Sequence, residues 1–390
     1  MIFAQKIHVL FYFRVFILSL ICKIHYEMGL LRFILAISVI LAHSGSIFGF
    51  EILNSQAAVQ SFYIISGFYM SLIIQEKYKF KRNSFKLFIS NRFLRLFPVY
   101  WAILLLTILL SLGLFFNSHG ANFGQMQPYL QNFQKMNFFS FSFLVFTNIF
   151  LFFQDIVMFL GLDTITGHLF FTSNYHNTYP ALYTFLLVPQ AWTISVEIMF
   201  YLIAPFLVKR DVKLILVLIL ISITLRMLIH SSGLYYDPWS YRFFPTECVF
   251  FLLGNISYRI YSKIKVIQLN PLFSNLIFVC FILLTLFYSK LFTTNRLMCL
   301  YFAIFVLALP FIFNASKSWK KDRIIGELSY PMYISHILVL FLIQTFHFPI
   351  LKNSLGLTLS IMTVLFSVML NELISKKIEV LRQKRVISSI

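Results

Sequence analysis

Charge is scarce in this chain. Asp, Glu, Lys and Arg together make up 12% of its 390 residues, whereas hydrophobic residues make up 59%. So few charged side chains cannot cover the surface of one soluble core of this size. Apolar runs of about 17 to 22 residues, the length of a membrane-spanning helix, instead recur along the chain. The composition excludes an ordinary soluble domain and predicts an all-α polytopic membrane protein.

Cysteine is scarce as well, and acidic residues are far fewer than basic ones. The four cysteines, Cys22, Cys248, Cys280 and Cys299, lie in separate apolar runs without the paired spacing of a metal site or a disulfide framework. We therefore expect packing roles for them and no metal ion. A net charge of +19 would suggest a nucleic-acid partner in a soluble chain. Here the basic residues cluster in loops between apolar runs, so we expect a lipid bilayer as partner and no nucleic acid.

About ten hydrophobic segments are long enough to span a bilayer. They are residues 29–48, 57–75, 96–116, 190–208, 212–230, 243–261, 271–289, 296–314, 328–347 and 354–375. On one side of this arrangement, 22 Lys and Arg residues lie in the loops at 76–95, 209–213, 259–265, 317–323 and 376–385. The opposite loops hold only five, which are Lys135, Arg242, Lys290, Arg296 and Lys352. By the positive-inside rule the first side is cytoplasmic, and both ends of the ten-helix core lie there.

The long external segment in this topology is residues 117–189. Within it, residues 141–160 are apolar enough to span, but a crossing there would invert every later loop. We therefore interpret residues 141–160 as a re-entrant or interfacial element. The membrane domain comprises residues 28–378, and a basic cytoplasmic tail follows at 379–390.

The first 27 residues form an apolar extension of uncertain type. Residues 7–22 are hydrophobic but short, and they contain Arg14. Three interpretations stay open: an extra helix, a signal-anchor-like segment, or an extension upstream of a core that begins near Met28. A cleaved signal peptide is not expected, because no small-residue cleavage pattern follows.

Ionisable residues inside the apolar segments are the first candidates for a functional site. Arg32 and His43 share one segment, and a helix separates them by about 16 Å along its axis. Such residues usually face a bundle interior and mark a pathway or a reaction site. The same counting of helical rise places Glu197 and Arg226 at the level of His43, with Glu247 slightly further out. An imidazole, two carboxylates and a guanidinium at one level resemble an acid/base constellation that opens outward.

These residues also have structural interpretations. In the structural interpretation, Arg226 pairs with Glu197 or Glu247 and holds helices together. His43 differs, because a histidine that is neutral near pH 7 can take up a proton, which a structural contact does not require.

Three shorter motifs add candidates. Ser66 lies in a small-residue stretch that suits either a ligand contact or close helix packing. Arg92 and Arg95 are three apart on one helix face, a geometry suited to phosphates but also typical of a positive-inside flank. His336 follows Pro331 near the start of the ninth segment, about 10 to 12 Å from the cytoplasmic side.

Together, these motifs resemble the membrane acyltransferase-3 family. The resemblance spans residues 29–340 and rests on Arg32-x10-His43, Ser61-Phe-Tyr-Ile-Ile-Ser66-Gly67-Phe68, Arg92-x-x-Arg95, Trp192-Thr-Ile-Ser-Val-Glu197 and Ser329-Tyr330-Pro331-Met-Tyr333 through His336. It implies a multi-pass enzyme of the bacterial inner membrane. Such an enzyme takes an acyl group, usually acetyl, from cytoplasmic acyl-CoA and places it on a hydroxyl outside.

The resemblance also implies roles for individual residues. Arg32, Arg92 and Arg95 would bind the phosphates of acetyl-CoA. His43 would act as the general base on the acceptor hydroxyl, and Glu197 would orient His43 or the acceptor. A transient acyl-enzyme is the rival mechanism, since histidine can itself be a nucleophile.

The expected acceptor is a glycan of the cell envelope or surface, such as O-antigen, capsule or exopolysaccharide, either lipid-linked or free. We expect substrate contacts from Ser66, Trp192, Tyr201, Arg226 and His336. A secondary transporter or flippase of a lipid-linked glycan is the alternative function. Such folds often contain inverted repeats, and the sequence has no convincing similarity between its halves.

Overall fold

Most of the chain is helical. The computed structural model describes residues 28–78, 84–267, 270–317 and 319–387. Its α-helices are α1 (Gly29–Ser44), α2 (Ser55–Leu72), α3 (Ser84–Asn117), α4 (Gln127–Asn132), α5 (Phe138–Phe150), α6 (Trp192–Leu207), α7 (Val212–Ser231), α8 (Phe244–Ile264), α9 (Pro271–Leu286), α10 (Tyr288–Leu291), α11 (Asn295–Ser316), α12 (Lys320–Thr345), α13 (Leu355–Leu370) and α14 (Lys376–Ile387). The predicted N-terminal extension, residues 1–27, lies outside the described residues, and its three interpretations stay open.

The predicted all-α membrane architecture is confirmed. Each of the ten predicted segments overlaps one of the long helices, which are α1, α2, α3, α6, α7, α8, α9, α11, α12 and α13. Among the described residues, seven helical stretches are long and apolar enough to cross a membrane. The number of crossings and the cytoplasmic position of both ends stay predictions.

Two helices begin well before their predicted starts. α3 begins at Ser84 rather than 96, and α12 begins at Lys320 rather than 328. Hydropathy marks only the lipid-buried part of a helix, whereas Lys and Arg are good helix formers that extend it beyond the apolar window. Residues 379–387 of the predicted tail are helical for the same reason. α14 packs on α3 through Arg382, whose Nε donates to the carbonyl oxygen of Asn91 at 2.9 Å.

The external segment does not contain one long helix at 141–160. α5 has 13 residues and ends where Leu151 takes a left-handed conformation with a φ of 64°. A helix of this length rises about 20 Å, less than the hydrocarbon thickness of about 30 Å. A short antiparallel hairpin follows, in which β1 (Leu160–Leu162) pairs with β2 (Leu169–Phe171). An element too short to cross by itself agrees with the sequence analysis, and its placement in the bilayer stays a prediction.

The start of α1 is fixed against α12. The Asp322 carboxylate accepts hydrogen bonds from the backbone N–H groups of Gly29 at 2.6 Å and Leu30 at 2.8 Å. The first N–H groups of a helix have no partner within the helix, so this carboxylate caps α1 from a neighbouring element. The backbones approach closely, because a Cβ on Gly29 would lie 1.7 Å from the Asp322 carbonyl oxygen. This contact positions Arg32, one turn further along α1.

A second close crossing joins α2 to α8. A Cβ on Gly67 would lie 1.9 Å from the carbonyl oxygen of Phe251, and a Cβ on Gly254 would lie 2.1 Å from that of Ile64. Small residues allow helix backbones in membranes to approach in this way. The crossing fixes the rotation of α2 and therefore the direction of Ser66, the residue before Gly67.

Contacts between loops define two ends of the bundle. At one end, which we call the basic end, Lys265 pairs with Glu76 at 3.3 Å, and Asp322 caps α1. At the opposite end, the Tyr175 hydroxyl donates to Asp237 at 2.6 Å. α1 therefore runs from the basic end, where it is capped, towards the opposite end, where His43 lies.

Candidate active site

A cavity at the centre of the bundle, which we call the inner pocket, has an empty volume of about 760 Å³. Its charged lining residues are Arg32, Arg92, Arg95 and Glu197. Arg32 and Arg92 are only 7% and 2% exposed. Three positive charges against one negative charge give the lining a net positive charge, which attracts anions. The inner pocket is therefore suited to an anionic ligand.

The structure brings the three predicted donor-binding arginines together. Arg92 and Arg95 come from α3, and Arg32 comes from α1. The guanidinium of Arg92 lies 5.7 Å from the ring centre of Phe88 and 5.9 Å from that of Tyr201, within the range of cation–π attraction. These aromatic contacts hold the planar Arg92 group in the pocket wall, and the phosphate-binding role of all three arginines stays a prediction.

Glu197 lies in the same pocket and is held by two hydroxyl groups. Ser66 Oγ donates to its Oε1 at 2.7 Å, and the Tyr201 hydroxyl donates to the same atom at 2.5 Å. Both bonds reach one oxygen of Glu197, and the role expected of this residue, to orient His43 or the acceptor, stays a prediction. Helical rise sets the level of a residue but not the direction of its side chain. Ser66 and Tyr201 do line the pocket, as expected for residues near a substrate.

A second cavity adjoins the inner pocket at the basic end, and we call it the vestibule. Its empty volume is about 1230 Å³, and both cavities are lined by Arg32, Arg95 and Tyr330. The other charged residues of the vestibule come from α12 and α14 with the turn before it, and they are Arg323, Glu327, Lys376, Glu379 and Arg382. The two cavities are therefore neighbours, and basic residues line both of them.

Two histidines meet beyond the other end of the inner pocket. The ring centres of His43 and His336 are 5.1 Å apart. His336 is fully buried, whereas His43 is exposed on one side. The predicted depth of His336, about 10 to 12 Å from the cytoplasmic side, is wrong. Because α12 begins at Lys320, His336 lies about 24 Å along it and at the level of His43.

Tyr333 connects the histidine pair to the inner pocket. Its side chain lines the pocket, and its ring centre lies 5.9 Å from that of His336. Its hydroxyl donates to the carbonyl oxygen of Gln190 at 3.0 Å and accepts from Thr193 at 2.8 Å. The inner pocket therefore ends one tyrosine side chain away from the histidines.

The sequence analysis did not select Arg242, which lies close enough to His43 to affect its electrostatics. Its guanidinium lies 4.2 Å from the ring centre of Trp192 and pairs with Asp237 at 2.5 Å. Trp192, a predicted substrate contact, is only 5% exposed, because the guanidinium of Arg242 packs against its ring. The signal was available, because Arg242 is one of only five basic residues in the loops predicted to be external.

Arg226, another predicted substrate contact, lies in a different part of the bundle. It pairs with Glu247 at 2.6 Å and donates to the carbonyl oxygens of Ser240 and Thr246. Gln60 also donates to Glu247, at 3.2 Å. Of the interpretations left open, the structural pair with Glu247 is the one observed, and Arg226 lines neither the inner pocket nor the vestibule.

Arginines around the inner pocket and a histidine pair beyond it are groups suited to anion binding and proton transfer. A family model described as an acyltransferase domain matches residues 25–372. The chain therefore belongs to the acyltransferase-3 family, and it is a multi-pass membrane acyltransferase that transfers an acyl group to a hydroxyl. No curated protein and no solved structure shows a significant match to it.

Proposed function

We propose that the protein transfers an acetyl group from cytoplasmic acetyl-CoA to a hydroxyl of a cell-envelope or surface glycan, on the outer side of the bacterial inner membrane. One observation carries this proposal. The vestibule and the inner pocket share Arg32, Arg95 and Tyr330, so two adjacent basic cavities extend from one end of the bundle to Tyr333, beside the histidines. A donor that enters from one side and an acceptor that arrives from the other can meet there.

The donor side is built for phosphates. Guanidinium groups bind phosphate oxygens through two parallel hydrogen bonds, and such charge-assisted bonds are about twice as strong as neutral ones. Arg32 and Arg95 face both cavities, so they can hold the phosphates of coenzyme A while the pantetheine arm extends into the inner pocket. Glu197 then acts on the donor side, where it fixes the Ser66 and Tyr201 hydroxyls in the pocket wall.

The chemistry takes place at His43. Its exposed side lets the acceptor hydroxyl approach without passing the arginines. His43 takes the hydroxyl proton while the oxygen attacks the thioester carbonyl. The new C–O bond forms, the C–S bond breaks, and His43 returns the proton to the sulfur of coenzyme A.

The acceptor surface includes part of the external segment. Tyr179 is 94% exposed and offers an aromatic face on which a sugar ring can stack. Tyr175, four residues after the end of β2, is 4% exposed, and its hydroxyl donates a hydrogen bond to Asp237. Tyr175 therefore shapes the segment, and Tyr179 is the better candidate for a glycan contact.

The test is transfer of labelled acetyl from acetyl-CoA to lipid-linked glycan in membranes that contain the full chain. We expect transfer by the wild-type protein and by His230→Ala, a control at an exposed histidine on α7, but not by His43→Ala. The O-acetyl content of the surface glycan, with and without the gene, identifies the acceptor. Wild-type transfer by His43→Ala at normal expression would contradict the proposal.

A further inference from the structure

We propose that His336 is the positioning residue for His43. In this arrangement an N–H group of His43 donates a hydrogen bond to Nε2 of His336, which leaves the second nitrogen of His43 free to take the acceptor proton. The inference rests on the proposed role of His43 as general base, and it assigns to His336 the orienting role that the sequence analysis gave to Glu197.

The tautomer of His336 is fixed by its backbone neighbour. Nδ1 of His336 lies 2.6 Å from the carbonyl oxygen of Tyr333. A carbonyl oxygen only accepts hydrogen bonds, so Nδ1 carries the hydrogen. In the neutral ring Nε2 is then an acceptor only. Nε2 is buried and has no hydrogen-bond partner among the described residues.

His43 is the neighbour that can supply the missing hydrogen bond. The two ring centres are 5.1 Å apart and the rings are inclined by 39°. At this separation, ring nitrogens that point towards each other come within the usual N–H hydrogen-bond range of about 2.7 to 3.2 Å. The terminal torsion of a histidine side chain is broad, so a small ring rotation completes the contact.

The two charged side chains considered as alternative partners of His43, Glu197 and Arg242, are bound to other groups. Glu197 accepts from Ser66 and Tyr201. Arg242 is bound to Asp237, and a guanidinium has no acceptor atom. His336 therefore offers the lone pair that a histidine base requires from its orienting partner.

His336 performs this role without changing its own protonation. When the acceptor proton moves to His43, both nitrogens of His43 carry hydrogen, and His336 accepts from one of them. The acceptor oxygen bonds to the acyl carbon, the C–S bond breaks, and the same proton passes from His43 to the sulfur. A neutral imidazole thus takes the place that a carboxylate occupies in a Ser-His-Asp triad.

The test compares two replacements in the full-length protein in membranes, with labelled acetyl-CoA as the donor and the membrane glycan as acceptor. His336→Leu fills the site without an acceptor atom, whereas His336→Gln retains an acceptor oxygen. We expect His336→Leu to lower kcat about 100-fold with the KM for acetyl-CoA unchanged, as for loss of an orienting partner. The kcat of His336→Gln should be at least about tenfold higher than that of His336→Leu. His336→Met, a second apolar replacement, is measured in parallel in case the Leu variant does not reach the membrane.

A double variant separates this inference from the proposed function. Because His336 acts through His43, adding His336→Leu to His43→Ala should cause no further loss. If His43→Ala is fully active, the proposed function fails. If His43→Ala is inactive but His336→Leu and His336→Met transfer acetyl at the wild-type rate, only the role of His336 is overturned. Equal loss in the Gln and apolar variants, at equal membrane levels, would show packing alone and would also overturn it.

Discussion

The arginine cluster and the histidine pair each include one residue of α1, Arg32 and His43, yet the surroundings of these two residues are opposites. Arg32 lies among two further arginines and one carboxylate, in a cavity that opens to the basic end. His43 faces the buried His336 on one side and is exposed on the other. The first region attracts negative charge, whereas the second contains two imidazole groups, which can take up and release a proton. Under the proposed function, donor binding and chemistry therefore lie at different levels of one bundle.

The largest effect that tests this division is expected at His43. Loss of a general base typically costs between a hundredfold and ten-thousandfold, so His43→Ala should lower kcat by about 10³. The KM for acetyl-CoA should not change, because the arginines are untouched. Initial rates over a range of acetyl-CoA concentrations give both constants, with His230→Ala as the matched control. A raised KM for acetyl-CoA in His43→Ala would show that His43 also contributes to donor binding, contrary to the division between the two regions.

The next largest effect is expected at the arginine cluster, where a substitution should change the KM for acetyl-CoA rather than kcat. Arg92→Gln removes a buried charge that faces the donor path, and loss of one partner of a buried charged pair costs about 2 to 5 kcal/mol. We expect the KM for acetyl-CoA to rise at least about 30-fold with kcat within a fewfold of wild type. Lys384→Gln, on the exposed face of α14, is the control. A fall in kcat with normal KM would place Arg92 in the chemistry instead.

A smaller effect is expected from the hydroxyls that hold Glu197. Ser66→Ala and Tyr201→Phe each remove one hydrogen bond to a charged group, worth about 1.5 to 3 kcal/mol. Part of this is recovered because the second hydroxyl remains, so we expect about a tenfold loss in kcat/KM for acetyl-CoA. The double variant should lose more than either single one. A change confined to the KM for the acceptor would show that Glu197 acts with the histidines on the acceptor and not on the donor.

The smallest effect is expected from the cap of α1. Asp322→Ala removes the acceptor of two backbone N–H groups, and loss of a helix cap costs about 1 kcal/mol. We expect a lower unfolding temperature in detergent and a severalfold higher KM for acetyl-CoA, since Arg32 is one turn away. Ser316→Ala, which removes a single bond to the N–H of Met28, is the milder comparison. An unchanged KM would show that Arg32 keeps its place without this cap.

The sequence was sufficient for the positions of the long helices, because each buries an apolar run that hydropathy detects. It also predicted correctly that Arg32, Arg92 and Arg95 come together, since the spacing in α3 puts two of them on one face. The starts of α3 and α12 were missed, because charged first turns are helical without being apolar. That error placed His336 at the wrong level.

Side-chain direction was the other part that the sequence did not determine. Glu197 and His43 were expected to cooperate because their helical rises agree, but the rotation of each helix about its axis depends on packing. Close crossings such as Gly67 against Phe251 set that rotation, and they are visible only in the folded structure. The partner of Arg226 was left open for the same reason, and the structure selects Glu247.

Two of the contacts between α1 and α12 are equally spaced along both helices. Gly29 meets Asp322 at the basic end, His43 meets His336 fourteen residues later on each helix, and both helices run in the same direction. Two parallel helices joined at matching positions cannot slide past each other without breaking both contacts. The helical rise of α1 itself sets the distance from Arg32 to His43 along the axis at about 16 Å. Under the proposed function, a donor is selected by its length, because its acyl group reaches His43 only if it lies that far from the charges that anchor it.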